Sequence, residues 1–233
     1  MEEVISRSIE GYRCSFVNGL EESQCRSLVS LVSMPPEKRK GPLGSLHSIC
    51  FGNINGLGPV VVKHYTRRGI LRHFVSKTYF SLGSSRADEE LRLLLKVREL
   101  GLNAPEPVAS LTRGKFFYNA RLVTREITNN RSFVDLGSED EELLTILIQK
   151  LVDQINILVQ NKIYHIDLHP DNVLFDSDLN VYIIDFDKAR IFKGTQRELK
   201  KRYMCRWRRA VIKHNLPDLF SELLCLGLRH NQN

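Results

Sequence analysis

His165-Ile166-Asp167-Leu168-His169-Pro170-Asp171-Asn172 is followed, thirteen residues beyond Asn172, by Asp185-Phe186-Asp187. Between them lie Val173-Leu174-Phe175, the turn-prone Asp176-Ser177-Asp178 and Val181-Tyr182-Ile183-Ile184, which together read as a β-hairpin. Such a hairpin carries Asp167, Asn172 and Asp185 to one end of a rigid ribbon. One carboxylate placed to take a proton from an attacking hydroxyl, with an amide and a second carboxylate as oxygen ligands for Mg2+, is the set that phosphoryl transfer from ATP requires. Any one of these residues alone is commonplace in a loop, so the reading rests on their joint spacing. His165 is expected to brace the loop rather than react.

Elements upstream must hold this loop. Leu144, Leu147, Ile148, Leu151, Ile155, Leu158 and Val159 recur at helical spacing and lead the chain directly into it, with Ser138 and Glu141 expected as a capping box. Earlier, Leu46–Phe51 and Val60–Tyr65 read as antiparallel strands around a glycine-rich turn. Lys63 falls inside the second strand, where a lone ammonium is costly, so it needs an anionic partner. The helical pattern of residues 85–100 offers Glu89 and Glu90 in its first turn, and register favours Glu90. Gly41 and Gly44, in the turn Gly41–Ser45, lie where a loop covering phosphates would fall, although a plain hairpin turn has the same composition. Val108–Leu111 and Phe116–Thr124 form a further strand pair. The pattern then lapses at Arg125–Asn130, so a linker is expected there, with the main chain of Glu126 and Ile127 facing the adenine edge.

Asp-x4-Asn followed by Ile-Asp-Phe after a short hairpin matches the loops of the protein-kinase-like fold. The expected fold is therefore α+β and two-lobed: residues 1–125 as a nucleotide-binding lobe with an antiparallel sheet and one helix, and residues 126–233 as a small, mainly helical catalytic and substrate lobe. Lys63-His64-Tyr65-Thr66-Arg67-Arg68-Gly69, Arg86 to Leu94, His165 to Leu174 and Ile184-Asp185-Phe186-Asp187-Lys188-Ala189-Arg190 resemble the bacterial lipopolysaccharide-core sugar kinases, and within them the group acting on 3-deoxy-D-manno-octulosonic acid (Kdo). The resemblance spans roughly Gly41 to Trp207. It implies ATP-dependent phosphorylation of a Kdo hydroxyl on a lipid A precursor, with Asp167 accepting the hydroxyl proton, Asn172 and Asp185 holding Mg2+, and Lys63 on the phosphates. Asp187 stands where protein kinases have glycine, and His169 where they have a loop lysine; both departures suit small-molecule kinases. Only 46 residues follow Asp187, which disfavours a peptide substrate.

Charge and composition narrow the setting. The chain carries a net +7, and Lys188–His214 holds eleven Lys or Arg against Glu198 alone. Tyr203, Met204, Trp207, Val211 and Ile212 are interleaved with Arg206, Arg208 and Arg209, an amphipathic pattern suited to an anionic glycolipid or membrane surface. Arg67, Arg68 and Arg72 form a smaller cluster. The first thirty residues lack the apolar core of a signal peptide and no stretch is long and apolar enough to span a bilayer, so a cytoplasmic protein is expected. The resemblance implies a peripheral place on the cytoplasmic face of the inner membrane, with no nucleic-acid partner. Five cysteines without paired spacing suggest reduced thiols. A heptose kinase of the same family and a non-catalytic kinase-fold binding module remain as alternatives.

Overall fold

The computed structural model describes residues 4–17, 19–33, 48–66, 85–114, 119–137 and 140–230. Gly41, Gly44, Arg67, Arg68, Arg72 and Ser138 lie outside them. The chain divides into two compact units, residues 1–95 with 106–126, and residues 96–105 with 127–233.

The first unit is built on a six-stranded antiparallel sheet. Its strands are β1 (Val4–Ile9), β2 (Tyr12–Val17), β3 (Ser48–Ile54), β4 (Gly58–Thr66), β5 (Pro107–Arg113) and β6 (Asn119–Arg125), in the order β1-β2-β5-β6-β4-β3. The β1–β2 hairpin is an element that the sequence reading missed. Ser6, Arg7 and Ser8 are exposed in succession, so β1 shows no alternation to read. It closes through a two-residue turn at Glu10 and Gly11, whose φ values of 49° and 78° match the twist of a tight hairpin. Helix α1 (Glu22–Ser33) buries Cys25, Leu28, Val29 and Val32 in the sheet's core, beside Val60, Val62, Val108 and Leu111. Helix α2 (Arg86–Glu99) begins in this unit at Ser85 and Asp88. Ser85 N–H donates to Asp88 Oδ2 at 2.9 Å and Asp88 N–H to Ser85 Oγ at 3.2 Å, a reciprocal N-terminal cap.

The second unit is mainly helical, with three small strand pairings. It contains β7 (Arg131–Ser132), α3 (Phe133–Leu136), α4 (Glu141–Gln160), β8 (Ile163–Tyr164), a single 3-10 turn at Pro170–Asn172, β9 (Val173–Phe175), β10 (Val181–Ile183), β11 (Arg190–Ile191), α5 (Gln196–Lys213) and α6 (Leu219–His230). All seven apolar residues expected on the inner face of α4 are buried, together with Val152, and each fully buried Leu or Ile contributes about 1.5–3 kcal/mol. The start of α4 differs from expectation. Asp140 is the capping residue, its Oδ1 accepting from Leu143 N–H at 2.8 Å, so Glu141 is the first helical residue rather than the third.

The basic segment also differs. It forms α5, but Tyr203, Trp207 and Val211 are buried in the core of this unit, where Trp207 meets the Phe133 ring edge-on at 6.2 Å and donates Nε1–H to Phe220 O at 3.0 Å. The apolar stripe read as a membrane-facing surface is thus consumed by packing, leaving Ile212 as its exposed apolar member.

Candidate active site

In the first unit, β4 alternates so that Val60 and Val62 enter the core while Lys63 and Tyr65 share the opposite face. Lys63 Nζ donates to Glu90 Oε1 at 3.2 Å and Oε2 at 3.0 Å. Glu90 is the acid that register favours; Glu89 is exposed. The Tyr65 hydroxyl also donates to Glu90 Oε2, and the Lys63 ammonium lies 5.1 Å from the Tyr65 ring centroid. Tyr65 was missed by the sequence reading, although its position two residues along the strand from Lys63 puts it on the lysine's face. Glu90 rides on an α2 whose first turn is fixed by the buried Asp88. Burial alone raises that carboxyl, but hydrogen bonds from Ser110, Ser85 and Ser15 outweigh it and hold the pKa below the ordinary value.

Beside the end of β6, Glu126 N–H donates to Pro59 O at 3.0 Å and Ile127 O accepts from Asn130 Nδ2. The Glu126 carbonyl and the Ile127 amide make no hydrogen bond among the described residues.

In the second unit the hairpin forms as expected. Val173 pairs with Ile183 and Phe175 with Val181, and the Asp176 carboxylate closes its turn by accepting from Asp178 N, Asn180 N, Asn180 Nδ2 and Tyr182 Oη. Ile184 N–H donates to Asn172 O at 3.0 Å, so Asp185 leaves the ribbon beside Asn172. Asp185 has φ of 64°, a left-handed conformation that costs a non-glycine residue about 1–2 kcal/mol and is held here by its surroundings.

His165 does brace the loop. Its Nε2 lies 3.0 Å from Ile184 O, which can only accept, so Nε2 carries the proton. Its ring meets Phe186 edge-on at 4.7 Å, and burial pushes its pKa down to about 4, keeping the imidazole neutral. A second brace was not visible in the sequence: Tyr203 Oη donates to Ile163 O at 2.8 Å and accepts from His165 N–H at 2.9 Å. Burial pushes the Tyr203 phenol far above its ordinary pKa, so it stays protonated.

Asn172 is oriented by chemistry that leaves no ambiguity. The atom 2.9 Å from Asp167 O must be Nδ2, since a carbonyl only accepts, and Oδ1 therefore turns the other way, where it makes no hydrogen bond among the described residues. Asn172 Nδ2 also lies 3.2 Å from His169 Nε2, which must then accept, so the His169 proton sits on Nδ1. Desolvation lowers the His169 pKa, in keeping with a neutral ring. His169, Asp171 and His214 otherwise have ligand spacing for a metal ion, with His214 Nε2 at 3.4 Å and His169 Nδ1 at 3.7 Å from Asp171 Oδ2. The proton on His169 Nδ1 leaves that nitrogen no lone pair for an ion. Asn172 Oδ1 and the Asp185 carboxylate are hard oxygen donors of the kind that could hold Mg2+.

Asp167 meets two cations. Its Oδ1 accepts from Arg206 Nη2, and its Oδ2 lies 3.6 Å from Lys188 Nζ. The expected trio on α5 is therefore divided: Arg206 turns to Asp167, while Arg208 and Arg209 are exposed. Lys188 was not among the expected site residues.

A sequence profile of the lipopolysaccharide kinase (Kdo/WaaP) family matches residues 50–218, most of the chain and the whole of the loop and hairpin above. The chain belongs to the Kdo/WaaP lipopolysaccharide kinase family. Among curated relatives it is similar to a 3-deoxy-D-manno-octulosonic acid kinase of Vibrio vulnificus (strain CMCP6), 33% identical over 131 residues that cover 55% of each chain. A protein of the same description from Vibrio cholerae is 30% identical over 136 residues, 57% of each chain, and one from Photobacterium damsela subsp. piscicida is 28% identical over 188 residues, 75% of each. The chain thus spans about half the length of the first of these Kdo/WaaP relatives. No helix among the described residues is long and apolar enough to cross a membrane.

Proposed function

We propose that this protein phosphorylates a Kdo hydroxyl on a lipid A precursor, using ATP and Mg2+. The observation that carries the reading is Asp167 set beside an Asn172 whose Oδ1 is left with no hydrogen bond among the described residues, in a member of this family. Asp167 positions the acceptor hydroxyl and takes its proton as the oxygen bonds to the γ-phosphorus and the bond from that phosphorus to the bridging oxygen of ADP breaks. Asn172 and Asp185 would hold Mg2+, which when bound neutralises phosphate charge. Lys63, kept in place by Glu90 and Tyr65, supplies a fixed cation for the phosphates. The Glu126 carbonyl and Ile127 amide offer the acceptor and donor that an adenine edge needs. Arg197, Lys201, Arg202, Arg208, Arg209 and Lys213 are exposed along α5, which supports peripheral contact with an anionic leaflet, the cytoplasmic face of the inner membrane in this reading.

Purified protein incubated with ATP, Mg2+ and Kdo-bearing lipid A precursor should add the mass of one phosphoryl group to that acceptor, and Asp167→Asn should lower the rate about a hundredfold with the fold intact. Phosphate appearing only on a parallel heptosylated acceptor would make the protein a heptose kinase instead. Wild-type rates from a folded Asp167→Asn protein would remove Asp167 from the mechanism.

A further inference from the structure

Arg206 and Lys188 grip the carboxylate that the proposed reaction needs free for a hydroxyl. Arg206 reaches Asp167 Oδ1 through Nη2, while its Nε is buried without a hydrogen-bond partner among the described residues. A guanidinium binds a carboxylate best in two-pronged fashion, through paired N–H groups. Here one prong is satisfied and a neighbouring donor is stranded, so the clasp on Asp167 is incomplete, and a buried donor without an acceptor is a standing cost. Lys188, more exposed, flanks the other oxygen at 3.6 Å. Both cations belong to the acceptor side of the loop by construction, since Asp167 is the group that receives the acceptor hydroxyl.

We propose that Arg206, assisted by Lys188, is the specificity-determining residue for an acidic acceptor. On this reading, which rests on the proposed kinase activity, the acceptor's own carboxylate replaces Asp167 on Arg206 and takes the guanidinium in two-pronged form. Asp167 is thereby released to the hydroxyl of the same sugar. Two consequences follow from the contact between Asp167 and Arg206. The phosphorylated hydroxyl and the acid group must lie close together on one acceptor, and a sugar without an acid leaves Asp167 clasped.

Two measurements test this. In the first, kcat/KM is determined for the Kdo-bearing acceptor and for its carboxamide analogue. The wild type should favour the acid about tenfold or more, and Arg206→Gln should reduce that preference to about twofold, with Lys188→Gln in between. Equal use of both acceptors by the wild type, or an undiminished preference in Arg206→Gln, would overturn the proposal. The second needs no turnover. Trp207 is the only tryptophan and adjoins Arg206 on α5, so its fluorescence follows titration with free Kdo and with the carboxamide, while near-ultraviolet circular dichroism checks the fold. Saturable binding of the acid alone, lost in Arg206→Gln, supports the proposal even if no phosphate is transferred, in which case the kinase reading fails by itself. Binding of acid and amide alike, binding that survives Arg206→Gln, or no binding of the acid at all would overturn it. If Arg206→Gln does not fold, Lys188→Gln and Arg206→Lys carry the same comparison.

Discussion

His165 is neutral because the protein surrounds it, and this has a pH signature. With its pKa pushed from 6.5 to about 4 by burial, the folded state binds fewer protons than the unfolded chain between those values. Stability present above pH 6.5 should therefore fall as the pH drops toward 4, by on the order of 3 kcal/mol in total. His64, also lowered to about 4 by desolvation, acts in the same direction from the first unit, with a smaller effect because it is only half buried. Urea midpoints measured at several pH values should show a shallower decline in His165→Phe; an unaltered slope would mean that the imidazole is already protonated in the native state. The same residue shows what a sequence can disclose. Its bracing role was expected from the likeness of the loop to kinase-like folds, and the pairing of Lys63 with Glu90 from a helix register that is local. The Arg206–Asp167 contact joins residues 39 apart through the packing of a whole helix, and a run of arginines gives no hint of which one turns inward.

Among the elements, α4 and α6 meet closely enough to exclude a methyl group. A Cβ added at Gly227 would lie 2.8 Å from Val152 Cγ2, and valine has little χ1 freedom with which to yield. Gly227→Ala should gain about 1 kcal/mol of helix propensity and lose about 1–3 kcal/mol to overpacking, for a net loss near 1 kcal/mol. A rise in the urea midpoint of this variant would show that the two helices can separate freely. Periodicity disclosed the inner face of α4 residue by residue, because 20 residues of pattern average out local exceptions. Its first residue was misread because several polar residues in succession could each cap it; among the described residues the Asp140 carboxylate accepts from the third amide beyond itself. The β1–β2 hairpin stayed hidden for the opposite reason, since an edge strand with three consecutive exposed residues carries no periodic signal.

For the whole molecule, the net +7 is concentrated where α5 meets solvent. Replacing Arg208 and Arg209 together with Gln, leaving Arg206 intact, should weaken co-sedimentation with anionic vesicles by about 2 kcal/mol at low salt. The difference should shrink as added salt screens charges beyond about 8 Å. Identical sedimentation of variant and wild type would reduce the exposed arginines to a solvated face. The inner side of the same helix has a different consequence. Because the Tyr203 hydroxyl spans Ile163 O and His165 N–H, the His165 amide proton can pass to solvent only when α5 lets go. Deuterium uptake at His165 should then be as slow as uptake along α5 itself, and the loop should have no private route to melting. Tyr203→Phe would cut that tie: the His165 amide should exchange early while the indole proton of Trp207 stays protected, so that one lost oxygen converts a single cooperative unit into a firm helix and a loose loop.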